Sequence, residues 1–320
     1  MAYLLYYLVL LPLSWLPLPV LYVLGDGFSW LNWRVIGYRK GVVLDNIRRS
    51  FPDYTKRQVQ ELGQEYFRRF FETIAESIKQ FTLSERNAIR RCRVANAEIV
   101  DHLRREKRSF IAYGAHFSNW EMAGLSFPAQ FPGFRVMGIY SPFKNETLDR
   151  LFTRNRTRAG TLMVSRRRVK EYYEAPQPPT VEFFVADQSP SNALWQKVHW
   201  TTFLGQTTSF LAGPERYAVR YDRPVYYMNL RRQRRGEYVA TLIPITEDPP
   251  STEPGFITEA FARQLELEIT NDPASWLWSH RRWKRGVPEE VAELMQQHTY
   301  LPAEYDRNSS VADQSSSAEP

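Results

Sequence analysis

Residues 110–125 read FIAYGAHFSNWEMAGL, and the fold class follows from them. The stretch opens on a short apolar run, read as a strand over 109–113, and passes through the small residues Gly114 and Ala115. It then reaches His116 just ahead of a helix-like segment. A strand that ends in small residues and hands over to a helix is the building unit of α/β proteins, whose sites lie beyond the carboxyl ends of their strands. Further β-rich runs follow at 135–140 (RVMGIY), 181–186 (VEFFVA), 225–230 (VYYMNL) and 238–245 (YVATLIPI). The last two flank RRQRRGE, a polar spacer with one glycine, which predicts an antiparallel hairpin. The earlier runs are separated by stretches long enough for helical crossovers, so the expected fold is α/β, a mixed β-sheet covered by helices. Upstream, Val59, Leu62, Tyr66, Phe70, Thr73 and Ile74 recur at three-to-four spacing and predict an amphipathic helix over 53–81, capped by Asp53 or Thr55. A final helix is expected around 258–269. No internal repeat and no Gly/Pro-rich linker divides the body, so the 320 residues read as one domain rather than the two that length allows.

Composition narrows the classes. Hydrophobic residues make up 43% and aromatic residues 14%, which excludes a disordered or collagen-like chain. Lys and Arg number 42 against 35 Asp and Glu, a net charge of +7. Residues 303–320 hold four acids and one Arg and read as a solvated, disordered tail, so the preceding body has 41 bases against 31 acids and stands at +10. The balance implies an anionic partner: nucleic acid, an anionic lipid surface or an acidic protein. Cys92 is the single cysteine, so there is no internal disulfide and no cysteine metal cluster. Its setting, RRCRV, makes it the one candidate thiol nucleophile, although inert filler is the commoner role of a lone cysteine.

The amino terminus carries the membrane signal. Residues 3–24 contain 22 positions without a charge, 18 of them apolar, which satisfies the length of a membrane segment. A cleaved signal peptide fits poorly, since no Lys or Arg precedes the run and no A-x-A site follows it. Pro12, Pro17 and Pro19 predict a bent or re-entrant membrane helix; a buried core helix or proline-rich arm is the bland alternative. Arg34, Arg39, Lys40, Arg48 and Arg49 follow Asp26, and the positive-inside rule places the body in the cytoplasm. The expected plan is an anchor over 1–26, a body over 27–302 and a tail over 303–320.

Several chemistries find no support. The sequence has no G-x-S-x-G elbow, Walker A loop, G-x-G-x-x-G or H-E-x-x-H, and its five histidines are scattered. His116 and Glu121 stand about 140° apart on a regular helix, so they meet only if His116 precedes it. Two readings stay open. Ser118 and Glu121 match the S-x-x-E capping box, leaving His116 a loop residue. Alternatively His116 is a general base and Glu121 the carboxylate that fixes its tautomer, so that a substrate hydroxyl attacks an activated acyl group with no protein nucleophile.

H-x4-E after a strand (His116, Glu121) is followed by N-R-T-R (residues 155–158), by A-D-Q at a strand end (Ala186, Asp187, Gln188), and by W-L-W-S-H-R-R-W-K (residues 276–284). With the passage through Val42, Val43, Asn46, Ser50, Phe51 and Pro52, these segments resemble the lipid A biosynthesis late acyltransferases, of lauroyl or myristoyl type, within the lysophospholipid acyltransferase group. The resemblance runs from the N-terminal segment to about Gly286. One departure is Ser118, where the family commonly has Gly. The resemblance implies a glycerolipid acyltransferase-like fold with an N-terminal membrane helix, on the cytoplasmic face of the inner membrane. It implies transfer of a fatty acyl chain from acyl carrier protein or acyl-CoA to a hydroxyl of an anionic lipid A precursor, with no metal and no bound organic cofactor. His116 is then the general base and Glu121 its charge-stabilising partner. Arg154 or Arg156, the latter favoured, binds substrate, and Asp187 and Gln188 shape the site. The basic clusters Arg166 to Arg168, Arg231 to Arg235, and Arg281, Arg282, Lys284 and Arg285 become candidates for lipid phosphates or a carrier protein. The last is interleaved with Trp276, Trp278 and Trp283, a composition suited to a membrane interface. The competing readings are another lipid acceptor (aminolipid, lysophospholipid or glycolipid) and a non-catalytic membrane-surface binding protein. Nucleic acid is not an expected partner, because no nucleic-acid motif accompanies the charge.

Overall fold

Alternation along the strand at 110 shows how the sheet is covered. Phe110 and Ala112 join one buried apolar cluster while Ile111 and Tyr113 join another, because successive side chains of a strand point to opposite faces and both faces carry helices. The computed structural model describes residues 2–190, 194–284 and 286–304; the tail expected over 303–320 therefore lies outside the described residues from 305 onward. The described residues form ten strands, in chain order β1 Cys92–Val94, β2 Phe110–Gly114, β3 Arg135–Tyr140, β4 Leu162–Ser165, β5 Thr180–Val185, β6 His199–Phe203, β7 Gln206–Phe210, β8 Val225–Arg234, β9 Glu237–Thr246 and β10 Tyr300–Leu301. Seven form a mixed sheet in the order β1-β9-β8-β2-β5-β3-β4, and β10-β6-β7 form a small antiparallel sheet. Strands β4, β3, β5, β2 and β8 run parallel, and the expected hairpin is β8 with β9, turning at Gly236 with φ +73°.

The helix expected over 53–81 runs Lys56–Lys79, and Thr55 caps it in a box with Gln58. The bend that the prolines predict in the N-terminal apolar segment is present, and the helical segment runs beyond the expected 1–26 to Ile36. It is a bent pair, Ala2–Trp15 and Leu18–Ile36, turned by 118° where Leu16 and Pro17 are extended. The proline at the break lacks an N–H and disfavours helix at the residue before it, which is the physical cause of the bend. Among the described residues no single helix is long and apolar enough to cross a membrane, although the pair is so by length and composition. The second arm runs past Asp26, whose carboxylate pairs with Arg235 at 2.7 Å. Leu18, Leu21 and Tyr22 pack this arm on Ala75 of the Lys56–Lys79 helix, and Gly25 allows the approach, since a Cβ there would lie 3.2 Å from the Phe71 carbonyl. The opposite face leaves Val20, Val23, Leu24, Phe28 and Trp30 exposed.

A second correction concerns the tryptophan-rich segment. Trp276, Trp278 and Arg282 are buried and belong to the core rather than to a membrane-facing surface; Arg281 and Lys284 are exposed, and Arg285 lies outside the described residues. The Arg231 to Arg235 cluster is likewise largely engaged within the protein: Arg232 and Arg235 pair with Glu72, and Arg234 with Glu237. Arg166, Arg167 and Arg168 are exposed.

Candidate active site

Two neighbouring strands aim the central pair. In the parallel pairing of β2 and β5, Gly114 lies opposite Val185, and two residues beyond each strand end stand His116 and Asp187. Their side chains meet: His116 Nδ1 is 2.6 Å from Asp187 Oδ1, and the His116 backbone N–H donates to the same oxygen at 3.1 Å. Trp276 Nε1–H donates to Asp187 Oδ2 at 2.9 Å. Burial alone would raise the Asp187 carboxyl; the His116 charge and these three donors outweigh it and hold the group at about 2. An ionised Asp187 puts the ring proton on Nδ1 and leaves Nε2 as the acceptor, which the Gln188 amide meets at 3.2 Å. His116 opens on a cavity of about 360 Å³ whose wall includes Phe70, Ile74, Phe81, Trp120 and Glu121.

Glu121 does not take the place the sequence reading gave it. Its carboxylate faces the helix Glu146–Thr157, where Arg156 Nε and Nη2 donate to its two oxygens at 3.0 and 2.5 Å. Asp187, which sequence reasoning placed only in the site's surroundings, holds His116 instead. The capping box is also absent: Asn119 is the N-cap residue of the short turn Trp120–Met122, with no side-chain cap bond, and Ser118 adopts φ +52°. The loop is pinned from outside, by Ser118 N–H donating to Ser275 O at 2.9 Å and by a bridge between Phe117 and Trp276. Asn119 Nδ2 donates at 2.7 Å to Glu76, a buried carboxylate that also accepts the hydroxyls of Tyr22 at 2.9 Å and Tyr238 at 2.7 Å. Tyr22 belongs to the second N-terminal arm, so one carboxylate ties that arm to the loop carrying His116.

The remaining candidates sort by environment. Arg154 is exposed, and its side chain has no hydrogen-bond or ion-pair partner among the described residues. Arg158 of N-R-T-R is structural: its Nη2 donates to Gln80 O at 2.6 Å and to Leu83 O, fastening the helix to the end of Lys56–Lys79. His280 stands behind A-D-Q, where its Nε2 accepts the Ser189 N–H at 3.1 Å; burial, with the nearby Arg282 charge, pushes the imidazole down to about 4 and keeps it a neutral acceptor. Arg282 is 3% exposed and stacks over Phe210, with 4.6 Å to the ring centre. Cys92 is fully buried and its thiol is pushed up to about 12, so it is no nucleophile at neutral pH. Among the described residues no three His, Cys, Asp or Glu side chains gather as a metal site.

Comparison with known proteins points to one family. The family model for bacterial lipid A biosynthesis acyltransferases matches residues 1–285. The chain is similar to the lipid A biosynthesis lauroyltransferase of Escherichia coli K12, 24% identical over 279 residues, 85% of this chain and 89% of that one. It is similar to the lipid A biosynthesis acyltransferase of Haemophilus influenzae, 21% identical over 284 residues, covering 87% and 89%. The lipid A biosynthesis palmitoleoyltransferase of Escherichia coli K12 is 23% identical over 281 residues, covering 84% and 86%. The relatives carry different acyl names on comparable identity, so chain length is not a property that this likeness transfers. The chain is an acyltransferase and belongs to the bacterial lipid A biosynthesis acyltransferase family.

Proposed function

We propose that the protein moves a fatty acyl group from a thioester, carried by acyl carrier protein or coenzyme A, to a hydroxyl of a lipid A precursor at the cytoplasmic face of the inner membrane. The observation that carries this reading is the His116–Asp187 pair, with His116 on the wall of a largely apolar cavity. In the reaction, the Gln188 amide yields Nε2 to the acceptor hydroxyl. Nε2 takes the hydroxyl proton as that oxygen bonds to the thioester carbonyl carbon, and Asp187 stabilises the imidazolium. The carbon–sulfur bond then breaks and the leaving thiolate receives the proton back from Nε2. No acyl-enzyme forms and no cofactor or metal takes part. Arg156, held by Glu121, and the exposed Arg154 bind the anionic acceptor. The apolar wall takes the acyl chain, and the bent N-terminal pair enters the bilayer with its exposed apolar face.

The test is direct. Membranes containing the protein are incubated with acyl carrier protein and coenzyme A thioesters and a lipid A precursor, and products are identified by mass spectrometry. An O-acylated lipid A product that disappears in His116→Ala is the expected outcome. Product formed only on another lipid overturns the acceptor assignment, and full activity of purified His116→Ala overturns the mechanism.

A further inference from the structure

The bent pair Ala2–Trp15 and Leu18–Ile36 is fastened to the body along its whole course. Near its start, the Arg150 guanidinium donates to the Tyr3 hydroxyl, and Tyr6 meets Phe81 edge-on with 5.3 Å between ring centres. At the bend, Lys79 Nζ donates to Ser14 O at 2.9 Å and to Leu16 O at 3.0 Å. In the second arm Tyr22 gives its hydroxyl to Glu76, and Asp26 pairs with Arg235. A span must carry its ends to opposite sides of about 30 Å of hydrocarbon, whereas the first arm, residues 2–15, rises only about 21 Å. Both arms rest on one body.

The two sides of the first arm differ. Tyr6, Leu10 and Ser14, spaced by four, are turned to the body, and Leu10 stands on the wall of the cavity that holds His116, a wall shared with Ile78, Phe81 and Phe152. Leu4, Leu5, Leu8, Val9 and Trp15 are exposed. Residues 3–24 carry no charge and the exposed Arg34 follows them, so this side fits hydrocarbon with anionic headgroups at its edge.

We propose that the pair dips into one leaflet and returns, with both ends on the side of His116, and that its first arm is a wall of the acyl cavity as well as a membrane contact, an inference that rests on the protein transferring acyl groups at a bilayer. The acyl chain under transfer then lies between the Lys56–Lys79 helix and an arm immersed in lipid. It reaches His116 without exposing its length to water.

The experiment uses the full-length protein in vesicles of phosphatidylethanolamine and phosphatidylglycerol. Tyr3→Cys combined with Arg150→Cys is treated with a bis-maleimide, to which the buried Cys92 is silent. A cross-link within one chain between residues 3 and 150, identified by mass spectrometry, is expected; its absence overturns the one-sided insert. Kinetics on acyl thioesters test the wall. Leu10→Trp fills the cavity and should fall about 10-fold below Leu8→Trp in kcat/KM. Leu10→Ala, which crowds nothing, should shift the preference toward longer acyl thioesters relative to Leu8→Ala. An arm that left the body to span would present both residues to lipid, so equal values within each pair overturn the wall. A parent protein that does not float with the vesicles, or transfers no acyl group, refutes the proposed function itself. One that does both and gives no cross-link refutes the insert alone.

Discussion

Thr55 to Gln58 and Ser118 to Glu121 carry the same local pattern, a hydroxyl residue followed three positions later by Gln or Glu. Only the first closes a capping box. At Thr55 the backbone is extended, the side chain accepts the Gln58 N–H, and Gln58 reaches back to the Thr55 N–H at 2.9 Å. At Ser118 the backbone is left-handed, its N–H goes to Ser275, and Glu121 turns away to Arg156. A box needs an extended cap residue, and the bridge between Phe117 and Trp276 denies Ser118 that conformation. The difference teaches that a local helix signal yields where distant segments hold the loop, and the loop they hold is the one bearing His116.

The strongest way to break the comparison is to ask which acid serves His116. Glu121 is five residues away in sequence but belongs to Arg156; Asp187 is seventy-one residues away yet bonded to the ring. Asp187→Asn should lower kcat by about 10²- to 10⁴-fold, since the amide neither fixes the Nδ1 tautomer nor stabilises the imidazolium. Glu121→Gln should cost about 10- to 100-fold and mainly in KM for the anionic acceptor, because one charge-assisted pair to Arg156 is weakened. Steady-state kinetics on both variants check the ranking. The reverse order, with Glu121→Gln the more damaging in kcat, would restore Glu121 as the partner of His116.

This ranking also marks where the sequence was legible. The apolar runs of β2, β3, β5, β8 and β9, the hairpin and the long amphipathic helix follow from periodicity and turn chemistry, which are local. β6 and β7 (HWTTF and QTTSF) are polar and short, and β1, β4 and β10 have four residues or fewer, so their existence depends on pairing that no local pattern announces. The His116 loop was marked by its place after a strand, and Asp187 by A-D-Q at another strand end. That the two strands are neighbours is a matter of sheet order, and only that order joins the residues. The tryptophan-rich segment misled for a related reason: Trp and Arg suit a membrane interface by composition, whereas here Trp276 serves Asp187 by a hydrogen bond and is buried.

Charge separates the two regions further. Asp187 is held at about 2, below the ordinary carboxylate value of about 3.9. The unfolded chain binds this proton more readily, so the stability due to Asp187 is fully present above about pH 4 and is lost as pH falls through about 2. The amount is on the order of 2 kcal/mol. Denaturant unfolding at pH 6 and near pH 2 should show the parent losing that much more than Asp187→Asn, the other carboxylates cancelling in the difference. An equal loss in both proteins would mean that Asp187 is not held ionised by its partners.

The Thr55–Gln58 box contains no ionisable group, and its removal should have the smallest effect and the simplest signature. Thr55→Ala leaves one helix N–H without its side-chain acceptor, and Gln58 loses the Thr55 hydroxyl that its side chain also accepts at 2.8 Å. The expected cost is about 1 kcal/mol, because the site is exposed and water replaces part of what is lost. The cost should not change between pH 4 and 8, and kcat should stay at the parent value, since the cap stands at the far end of a 24-residue helix from Glu76, the residue that holds Asn119. Thermal melting with turnover measured on the same preparation decides it. A Thr55→Ala protein that loses turnover without losing stability would show that the cap and the His116 loop are coupled along the helix, and that the loop is set from the helix's remote end.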